Sequence, residues 1–137
     1  MAAERIRVLK VSPFYNSPAW PDPSHPPYVN AVVLVQTPLG PAALLEALHR
    51  IEAAFGRERS VPNAPRTLDL DIVDYDGRVE EGPPVLPHPR AAERAFVLKP
   101  LADLAPAWKH PTARKTVGAL MAALPPSDLA AVTKITP

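Results

Sequence analysis

The 137-residue sequence contains no cysteine, which excludes a disulfide-stabilised scaffold and metal sites built on thiolates. It also lacks an excess of either charge, since 15 basic and 14 acidic residues leave a formal net charge of +1. Such a balance produces no broad field that would attract nucleic acid or a membrane surface. No apolar run approaches the roughly 20 residues of a membrane-spanning helix, and the first residues lack the apolar core of a secretory signal. We therefore expect a cytoplasmic protein with no nucleic-acid or membrane partner.

Glycine is scarce, with five residues, and neither standard glycine-rich phosphate-binding loop is present. A nucleotide would therefore have to be held by side chains and metal ions rather than by a backbone cradle. Proline is abundant instead, with 20 residues in the chain, against a usual share of about 5%. The prolines cluster in residues 18–27 and 83–89, between apolar segments, which predicts stiff surface loops rather than disorder.

Apolar residues make up 47% of the chain, which suits one domain with one core. The patterns predict strands over 6–15, 28–37 and 66–75, and helices over 40–56, 90–105 and 116–124. The second strand is almost entirely apolar, which predicts burial on both faces. The helical pattern over 90–105 is expected to break near Pro100, and Thr116 is expected to cap the last helix. This order of elements predicts an α+β fold with helices packed on one sheet.

The helix predicted over residues 40–56 has the clearest pattern in the chain. Pro41 suits its first turn, and Gly56 suits the position just after its end. Apolar side chains recur along it at helical spacing, which predicts one buried stripe. The members of this stripe are Leu44, Leu48, Ile51 and Phe55.

The stretch RTLDLDIVDY, residues 66–75, alternates apolar and acidic side chains with the period of a strand. Asp69 and Asp71 would then share one face, with Cα atoms about 6.5–7 Å apart. Two carboxylates at this spacing can bind one Mg²⁺ ion or a pair of ions, while water and phosphate oxygens complete the coordination. The alternative is an exposed strand face with solvated aspartates, and the pattern alone does not decide between the two.

Basic residues precede and follow this acidic stretch. The relevant positions are Arg57, Arg59, Arg66, His88, Arg90 and Arg94. A guanidinium group stays charged and offers a planar fork of donors to phosphate oxygens. An acidic pair combined with several arginines is typical of phosphoryl transfer, in which catalysis consists of positioning and charge neutralisation. Arginines that merely cover a surface are the alternative.

Aromatic residues account for only 6% of the chain, yet several lie close to the first proline-rich stretch. They are Phe14, Tyr15, Trp20 and Tyr28, and Asn30 follows shortly after them. Aromatic faces together with one amide can sandwich a flat heterocycle and bind its polar edge. The alternative is that these rings belong to the core, above all Phe14 and Tyr15.

Taken together, these segments resemble 6-hydroxymethyl-7,8-dihydropterin pyrophosphokinases of folate biosynthesis. PRTLDLDIVDY resembles the signature of that family, and LPHPRAAERAFVLKPLADLAP resembles its second block, while GRER and YVNAVV fit as well. The resemblance runs from about Ile6 to Pro111. It implies a ferredoxin-like α/β sandwich with a mainly antiparallel sheet. It also implies Mg²⁺-dependent transfer of pyrophosphate from ATP to the hydroxymethyl group of the pterin, with release of AMP.

The resemblance further implies a role for individual residues. Two Mg²⁺ ions would be bound by Asp69 and Asp71. ATP would be bound by Glu52, Arg66, Ile72, His88 and Arg94. Catalytic arginines of a mobile loop and its exit would be Arg57, Arg59 and Arg66. The pterin would be bound by Ser17, Pro18, Tyr28, Asn30 and Phe96, with two aromatic rings sandwiching the heterocycle.

Two features depart from the family pattern. Many members carry Arg-Trp-Gly-Pro-Arg ahead of the aspartates, whereas this chain has PNAPR, with Asn63 at the tryptophan position. Family members also begin with a strand, a turn resembling Ala-Leu-Gly-Ser-Asn-Leu-Gly and a long helix, and this sequence has neither the strand nor the helix. We therefore expect a single, N-terminally incomplete domain over 1–137, whose open sheet edges favour self-association.

Two other functions are compatible with the same motifs. The first is a catalytically silent fragment of the family that acts as a binding or assembly partner of another folate enzyme. The second, weaker alternative is a different nucleotide-dependent transferase built on the same acidic strand. Binding of pterin would exclude the second alternative, and release of AMP with the pterin substrate would exclude the first.

Overall fold

The computed structural model describes residues 5–18, 28–56 and 68–135. In chain order the elements are β1 Arg7–Val11, β2 Tyr15–Ser17, β3 Tyr28–Asn30, β4 Val33–Gln36, α1 Pro41–Gly56, β5 Glu80–Glu81, β6 Val85–Leu86, α2 Ala95–Leu104, α3 Val117–Ala122, α4 Pro126–Ala131 and β7 Thr133–Lys134. A short 3₁₀ turn, Ala91–Glu93, precedes α2. Helices and antiparallel strand pairs occur together, so the predicted α+β class is confirmed and is consistent with a ferredoxin-like fold.

The chain divides into two compact units. The first comprises Met1–Arg7 with Gln36–His88, and the second comprises Val8–Val35 with Pro89–Pro137. The expectation of a single, N-terminally incomplete domain over 1–137 stays a prediction. Within the described residues, no helix combines the length and the apolar character needed to cross a membrane.

The first unit is built on the long helix α1. The helix predicted over 40–56 is confirmed, since α1 begins at Pro41 and ends at Gly56. Leu44 and Leu48 of the predicted stripe are buried, but Phe55 in the last turn is exposed, so the buried stripe is shorter than predicted. Later in this unit β5 and β6 pair antiparallel as a small hairpin.

The acidic stretch lies in the first unit and is not a strand. Residues 68–74 form neither strand nor helix, so the predicted strand is absent from this part of residues 66–75. The predicted alternation is nevertheless present, because Leu68 and Leu70 are half-buried while Asp69 and Asp71 are exposed. A strand requires a ladder of hydrogen bonds to a neighbour, and the structure shows no such ladder for residues 68–74.

The second unit contains the three-stranded sheet β3–β2–β7, in which both pairings are antiparallel. Helix α2 packs against β2 and β3. The predicted break at Pro100 is wrong, because Pro100 lies inside α2 and is buried there. A proline inside a helix removes one backbone hydrogen bond. Burial of its neighbours Leu98 and Leu101 in the same helix offsets that loss.

The strands β1 and β4 form a separate two-stranded sheet. Their apolar side chains remain exposed: Val8, Leu9, Val11, Val33 and Leu34. The prediction that residues 28–37 are buried on both faces is therefore wrong for β4, and it is also wrong for β3, in which Tyr28 and Val29 are exposed. Apolar composition predicts burial only where another element covers the strand, and no element in the described ranges buries these side chains.

The C-terminal part of the second unit was only partly predicted. Thr116 caps α3 as predicted, since its Oγ1 accepts a hydrogen bond of 3.1 Å from the backbone N–H of Ala119. The sequence pattern does not predict α4 or β7. Both are short, and β7 is only defined as a strand by its pairing with β2, far away in the sequence.

Candidate active site

Predicted pterin-binding residues share one face of the β2–β3 pair in the second unit. In the antiparallel register Ser17 lies opposite Tyr28, and Tyr15 lies opposite Asn30. Residues directly opposite each other project to the same face, as do residues two apart along one strand. Ser17, Tyr28 and Asn30 therefore share a face with Tyr15. Pro18 follows β2 directly and is exposed.

Helix α2 lies on this same face of the sheet and carries Phe96 in its first turn. Tyr15 belongs to a core cluster with Ala95 and Val132, and half-buried Phe96 packs against that cluster. The guanidinium carbon of Arg94 lies 5.4 Å from the centroid of the Phe96 ring, which is a cation–π distance. The second unit thus packs Phe96 against the cluster that contains Tyr15, and Arg94, which is predicted to bind ATP, lies against the Phe96 ring.

The hydroxyl of Ser17 is buried, and its Oγ has no hydrogen-bond partner among the residues that the structure describes. Leaving a buried hydroxyl unpaired costs about 1–3 kcal/mol. A polar group of a ligand on this face of the sheet can supply the missing bond. The ring of Tyr28, opposite Ser17 in the ladder, is half-exposed and offers an aromatic surface to the same ligand.

In the first unit, Glu52 of α1 contacts the backbone between the two aspartates. The N–H of Leu70 donates a hydrogen bond of 2.6 Å to Glu52 Oε2. Leu70 is half-buried, while Asp69 and Asp71 on either side of it are exposed. The helix therefore fixes the segment at its centre and leaves both carboxylates on the outer side. The pattern of the sequence alone gave no signal for this contact.

The other predicted ATP-binding positions of the first unit lie along the same segment. Ile72 is half-buried within it. The backbone N–H of His88 donates a hydrogen bond of 2.9 Å to the carbonyl of Val73. The first unit thus brings Glu52 and His88 next to residues 68–74, which carry the aspartates.

The donor set of this segment fits Mg²⁺. Asp69 and Asp71 offer only oxygen atoms, and Mg²⁺ prefers oxygen ligands and commonly takes one or two carboxylates together with water and phosphate. No group of three or more His, Cys, Asp or Glu side chains in the described ranges is arranged to hold a metal ion. Water and phosphate oxygens can complete the coordination of an ion that two carboxylates bind.

Several predicted residues lie outside the described residues. They are the catalytic arginines Arg57, Arg59 and Arg66, together with Asn63 at the position of the family tryptophan. Their assignments stay predictions.

A residue that the sequence did not single out, Asp103, completes the region around Tyr15. The Tyr15 hydroxyl donates a hydrogen bond to the Asp103 carboxylate. Burial, followed by the hydrogen bond to Asp103 and its negative charge, raises the pKa of Tyr15 to about 12. The phenol is therefore protonated and able to donate at neutral pH. The available signal was spacing, since Asp103 follows Phe96 by two helical turns and so lies on the same side of α2.

The sequence model of the 7,8-dihydro-6-hydroxymethylpterin-pyrophosphokinase (HPPK) family matches residues 1–106 of the chain. The chain belongs to this family. The resemblance inferred from the aspartate stretch and the second block is therefore confirmed. Membership fixes the class of fold and the kind of site to be considered, while the role of each residue remains a prediction.

Three bacterial relatives of the HPPK family carry the name 2-amino-4-hydroxy-6-hydroxymethyldihydropteridine pyrophosphokinase. The protein from Synechocystis sp. is 42% identical over 113 residues, which cover 82% of this chain and 57% of the relative. The protein from Methylorubrum extorquens is 44% identical over 106 residues, which cover 77% of this chain and 67% of the relative. The protein from Pseudomonas aeruginosa is 42% identical over 128 residues, which cover 90% of this chain and 78% of the relative. The chain thus spans little more than half of the Synechocystis relative. These matches do not favour a catalytically silent binding partner.

Proposed function

We propose that this chain of the HPPK family transfers pyrophosphate from ATP to 6-hydroxymethyl-7,8-dihydropterin in a Mg²⁺-dependent step of folate biosynthesis, and releases AMP. The observation that carries the proposal is the shared sheet face of Ser17, Tyr28 and Asn30, against which the helix of Phe96 packs. This arrangement supplies aromatic surface and hydrogen-bonding groups for a flat, polar heterocycle.

The reaction requires that the attacking oxygen of the pterin be aligned with the β-phosphorus of ATP. It also requires that the negative charge of the phosphates be neutralised. The hydroxymethyl oxygen of the pterin attacks the β-phosphorus of ATP and loses its proton. The bond between this phosphorus and the oxygen that bridges to the α-phosphate breaks, and AMP leaves with that oxygen. Catalysis of such a transfer rests on positioning and electrostatic stabilisation. The proposed residues divide between these two tasks.

Asp69 and Asp71 are proposed to bind two Mg²⁺ ions, which would supply positive charge at the phosphate oxygens. The contact between Glu52 and the N–H of Leu70 supports this role, because it fixes the backbone from which both carboxylates project. The same contact gives Glu52 a supporting function beside its predicted position near the nucleotide.

The phosphates of ATP are proposed to be bound by His88 and Arg94, and Ile72 is proposed to line the nucleotide. Arg57, Arg59 and Arg66 are proposed to neutralise charge that develops during the transfer. A guanidinium group suits this task, since it remains charged and can bind two phosphate oxygens at once.

The pterin is proposed to lie between the rings of Tyr28 and Phe96, next to Pro18. Asn30 and Ser17 would bind its polar edge. The buried Oγ of Ser17, which has no partner among the described residues, supports this assignment, since the heterocycle offers the missing hydrogen bond.

The decisive experiment is a turnover assay that follows AMP release and identifies the pyrophosphorylated pterin by mass. We expect turnover that requires Mg²⁺, and a loss of roughly a thousandfold or more in Asp71→Ala at saturating Mg²⁺. Glu46→Ala is the matched control, because Glu46 is an exposed carboxylate on α1 that has no proposed role. Near-normal turnover in folded Asp71→Ala would contradict the metal assignment, and absence of AMP release by the wild-type chain would contradict the proposed reaction.

Self-association is a second, separate part of the proposal. The β1–β4 sheet exposes apolar side chains, among them Leu9 and Leu34. A sheet with exposed apolar residues and open edges is a template for pairing with another chain. We propose that a second copy of this chain associates with the β1–β4 sheet at its edges, which pair with no other described strand, and contacts the exposed apolar side chains there.

A further inference from the structure

The buried side chain of Tyr15 connects β2 to both ends of helix α2. Its ring belongs to the core cluster with Ala95 at the start of the helix, and Phe96 packs against this cluster. Its hydroxyl donates a hydrogen bond to Asp103 Oδ2 near the end of the helix. Because Phe96 and Asp103 lie two turns apart on one side of α2, Tyr15 aligns the helix with the sheet at two points.

Positive charge from β7 and from α2 itself surrounds this contact. Lys134 of β7 lies opposite Tyr15 in the ladder, and its Nζ is 3.4 Å from Asp103 Oδ2. The Nζ of Lys99 and that of Lys134 are each 5.8 Å from the centroid of the Tyr15 ring. Lys99 Nζ also donates hydrogen bonds to two backbone carbonyls at the end of α4. The phenol, its acceptor and the two ammonium groups therefore tie β2, β7, α2 and α4 together.

Tyr15 is unsuited to bind a substrate directly. Its hydroxyl is already bonded to Asp103. Its position is nevertheless central, because it lies opposite Asn30 and two residues before Ser17, on the face that α2 covers. A change at Tyr15 would therefore act on the site through the spacing between helix and sheet.

We propose that the hydrogen bond between Tyr15 and Asp103 is a positioning contact of the pterin pocket. It fixes the separation between Phe96 and the sheet face of Ser17 and Tyr28, and this separation sets the affinity for the flat heterocycle. The inference rests on the proposed function, because it names a determinant of the same site. Neither Tyr15 nor Asp103 touches the reacting groups.

The test compares variants that remove the hydrogen bond with variants that retain it. Tyr15→Phe removes the donor and Asp103→Leu removes the acceptor, whereas Asp103→Asn keeps an acceptor oxygen. Tyr75→Phe is the matched control, because the Tyr75 hydroxyl donates to a backbone carbonyl of the first unit. Calorimetry measures the Kd of 6-hydroxymethyl-7,8-dihydropterin in the presence of Mg²⁺ and a non-hydrolysable ATP analogue. The Kd of the analogue is measured separately, and urea unfolding shows that each variant is folded.

We expect Tyr15→Phe and Asp103→Leu to raise the Kd of the pterin about tenfold, as the loss of a hydrogen bond to a charged group does. The double variant should be no weaker than either single variant, because both remove the same contact. Asp103→Asn and Tyr75→Phe should stay within about threefold of the wild type, and the Kd of the ATP analogue should not change.

The inference is overturned if Tyr15→Phe lowers the free energy of unfolding but leaves the Kd of the pterin unchanged. An equal loss of affinity for both ligands overturns it as well. A wild-type chain that binds no pterin contradicts the proposed function instead, and amide hydrogen exchange then decides on the positioning role. Faster exchange in β2, β3 and the first turn of α2 in Asp103→Leu, but not in Asp103→Asn, supports that role, whereas unchanged exchange overturns it.

Discussion

The β3–β2–β7 sheet and the β1–β4 sheet differ in a way that their composition does not predict. β2 reads YNS, yet Tyr15 and Ser17 are only 4% and 6% exposed. β1 reads RVLKV, yet its Val8 is 43% exposed, and Leu34 of β4 is 45% exposed. The two strands differ in exposure because β2 has a paired strand on each side and a helix, α2, packed against it. Burial in this protein follows from which element lies over a strand rather than from how apolar the strand is.

The same contrast separates two kinds of proposed function. The covered sheet β3–β2–β7 carries the residues proposed to bind the pterin, and its geometry is fixed by hydrogen bonds and core packing. The uncovered β1–β4 sheet offers apolar surface with no such constraint, and we propose that it contacts a second copy of the chain. The following predictions test whether this division holds.

The largest expected effect on stability comes from truncating a buried leucine of α2, in contrast to an exposed leucine of the β1–β4 sheet. Leu98 of α2 is fully buried, so Leu98→Ala should lower the free energy of unfolding by about 2–5 kcal/mol through lost burial and a new cavity. Leu34→Ala makes the same chemical change on the β1–β4 sheet and should lower the free energy of unfolding by less than about 1 kcal/mol. Urea unfolding of both variants measures the difference. Equal losses would show that cover does not separate the two regions.

Alkaline pH should act selectively on the covered sheet. Burial and Asp103 raise the pKa of Tyr15 from 10.0 to about 12, so the unfolded chain loses this proton at lower pH than the folded chain. The resulting stabilisation is complete below about pH 10 and is lost as the pH rises through about 12. Urea unfolding between about pH 9 and 12 measures this decline, which Tyr15→Phe should lack. A parallel decline in both proteins would assign it to other groups.

Two equally exposed aromatic residues should differ in their effect on pterin binding. Tyr28 in the covered sheet and Phe14 between β1 and β2 are both 51% exposed, so neither truncation removes a buried core ring. Tyr28→Ala should weaken pterin binding by about 1–3 kcal/mol, the size of a stacking interaction. Phe14→Ala should leave the Kd of the pterin unchanged. Calorimetry on both variants provides the comparison, and equal effects would argue against the proposed sandwich.

The smallest expected effect on the stability of a single chain concerns the uncovered sheet. Leu9→Lys places a charge on β1 at an exposed position and should change the free energy of unfolding by less than about 0.5 kcal/mol. It should nevertheless weaken self-association, because burying an unpaired ammonium group between two copies is costly. Sedimentation velocity at several concentrations measures the oligomeric state. Val79→Lys, at an exposed position outside this sheet, is the control, and a monomeric wild-type chain would contradict the proposed contact.

Local chemistry explains which parts of the fold were predictable. Helix α1 begins at Pro41 and ends at Gly56, and Thr116 caps α3, because these residues act on the backbone next to them. The alternation of half-buried and exposed residues around Asp69 was equally readable. The break predicted at Pro100 failed because burial of α2 outweighs one lost hydrogen bond. The strand predicted for residues 66–75 failed over residues 68–74 because a strand needs a partner.

The candidate site was predictable to a similar degree. The motifs around Asp71 and His88 identified the family, and through it the residues proposed to bind metal, nucleotide and pterin. They did not indicate that Glu52 accepts a hydrogen bond from the N–H of Leu70, or that Asp103 accepts one from the hydroxyl of Tyr15. Such contacts join residues on different elements, so no periodicity within one element signals them.

By itself, the sequence of this protein determined which side chains share a face within each segment, both in the stripe of a helix and in the alternation of the acidic stretch. Only the tertiary structure decided which element each segment packs against. It paired β2 with β7 across most of the chain, laid α2 over one sheet and left the β1–β4 sheet exposed. The physical reason lies in the range of the interactions. The face on which a side chain lies depends on the backbone dihedral angles of a few neighbouring residues. Which element packs over a strand depends on contacts and hydrogen bonds between residues that are far apart in the sequence and that the intervening chain must bring together.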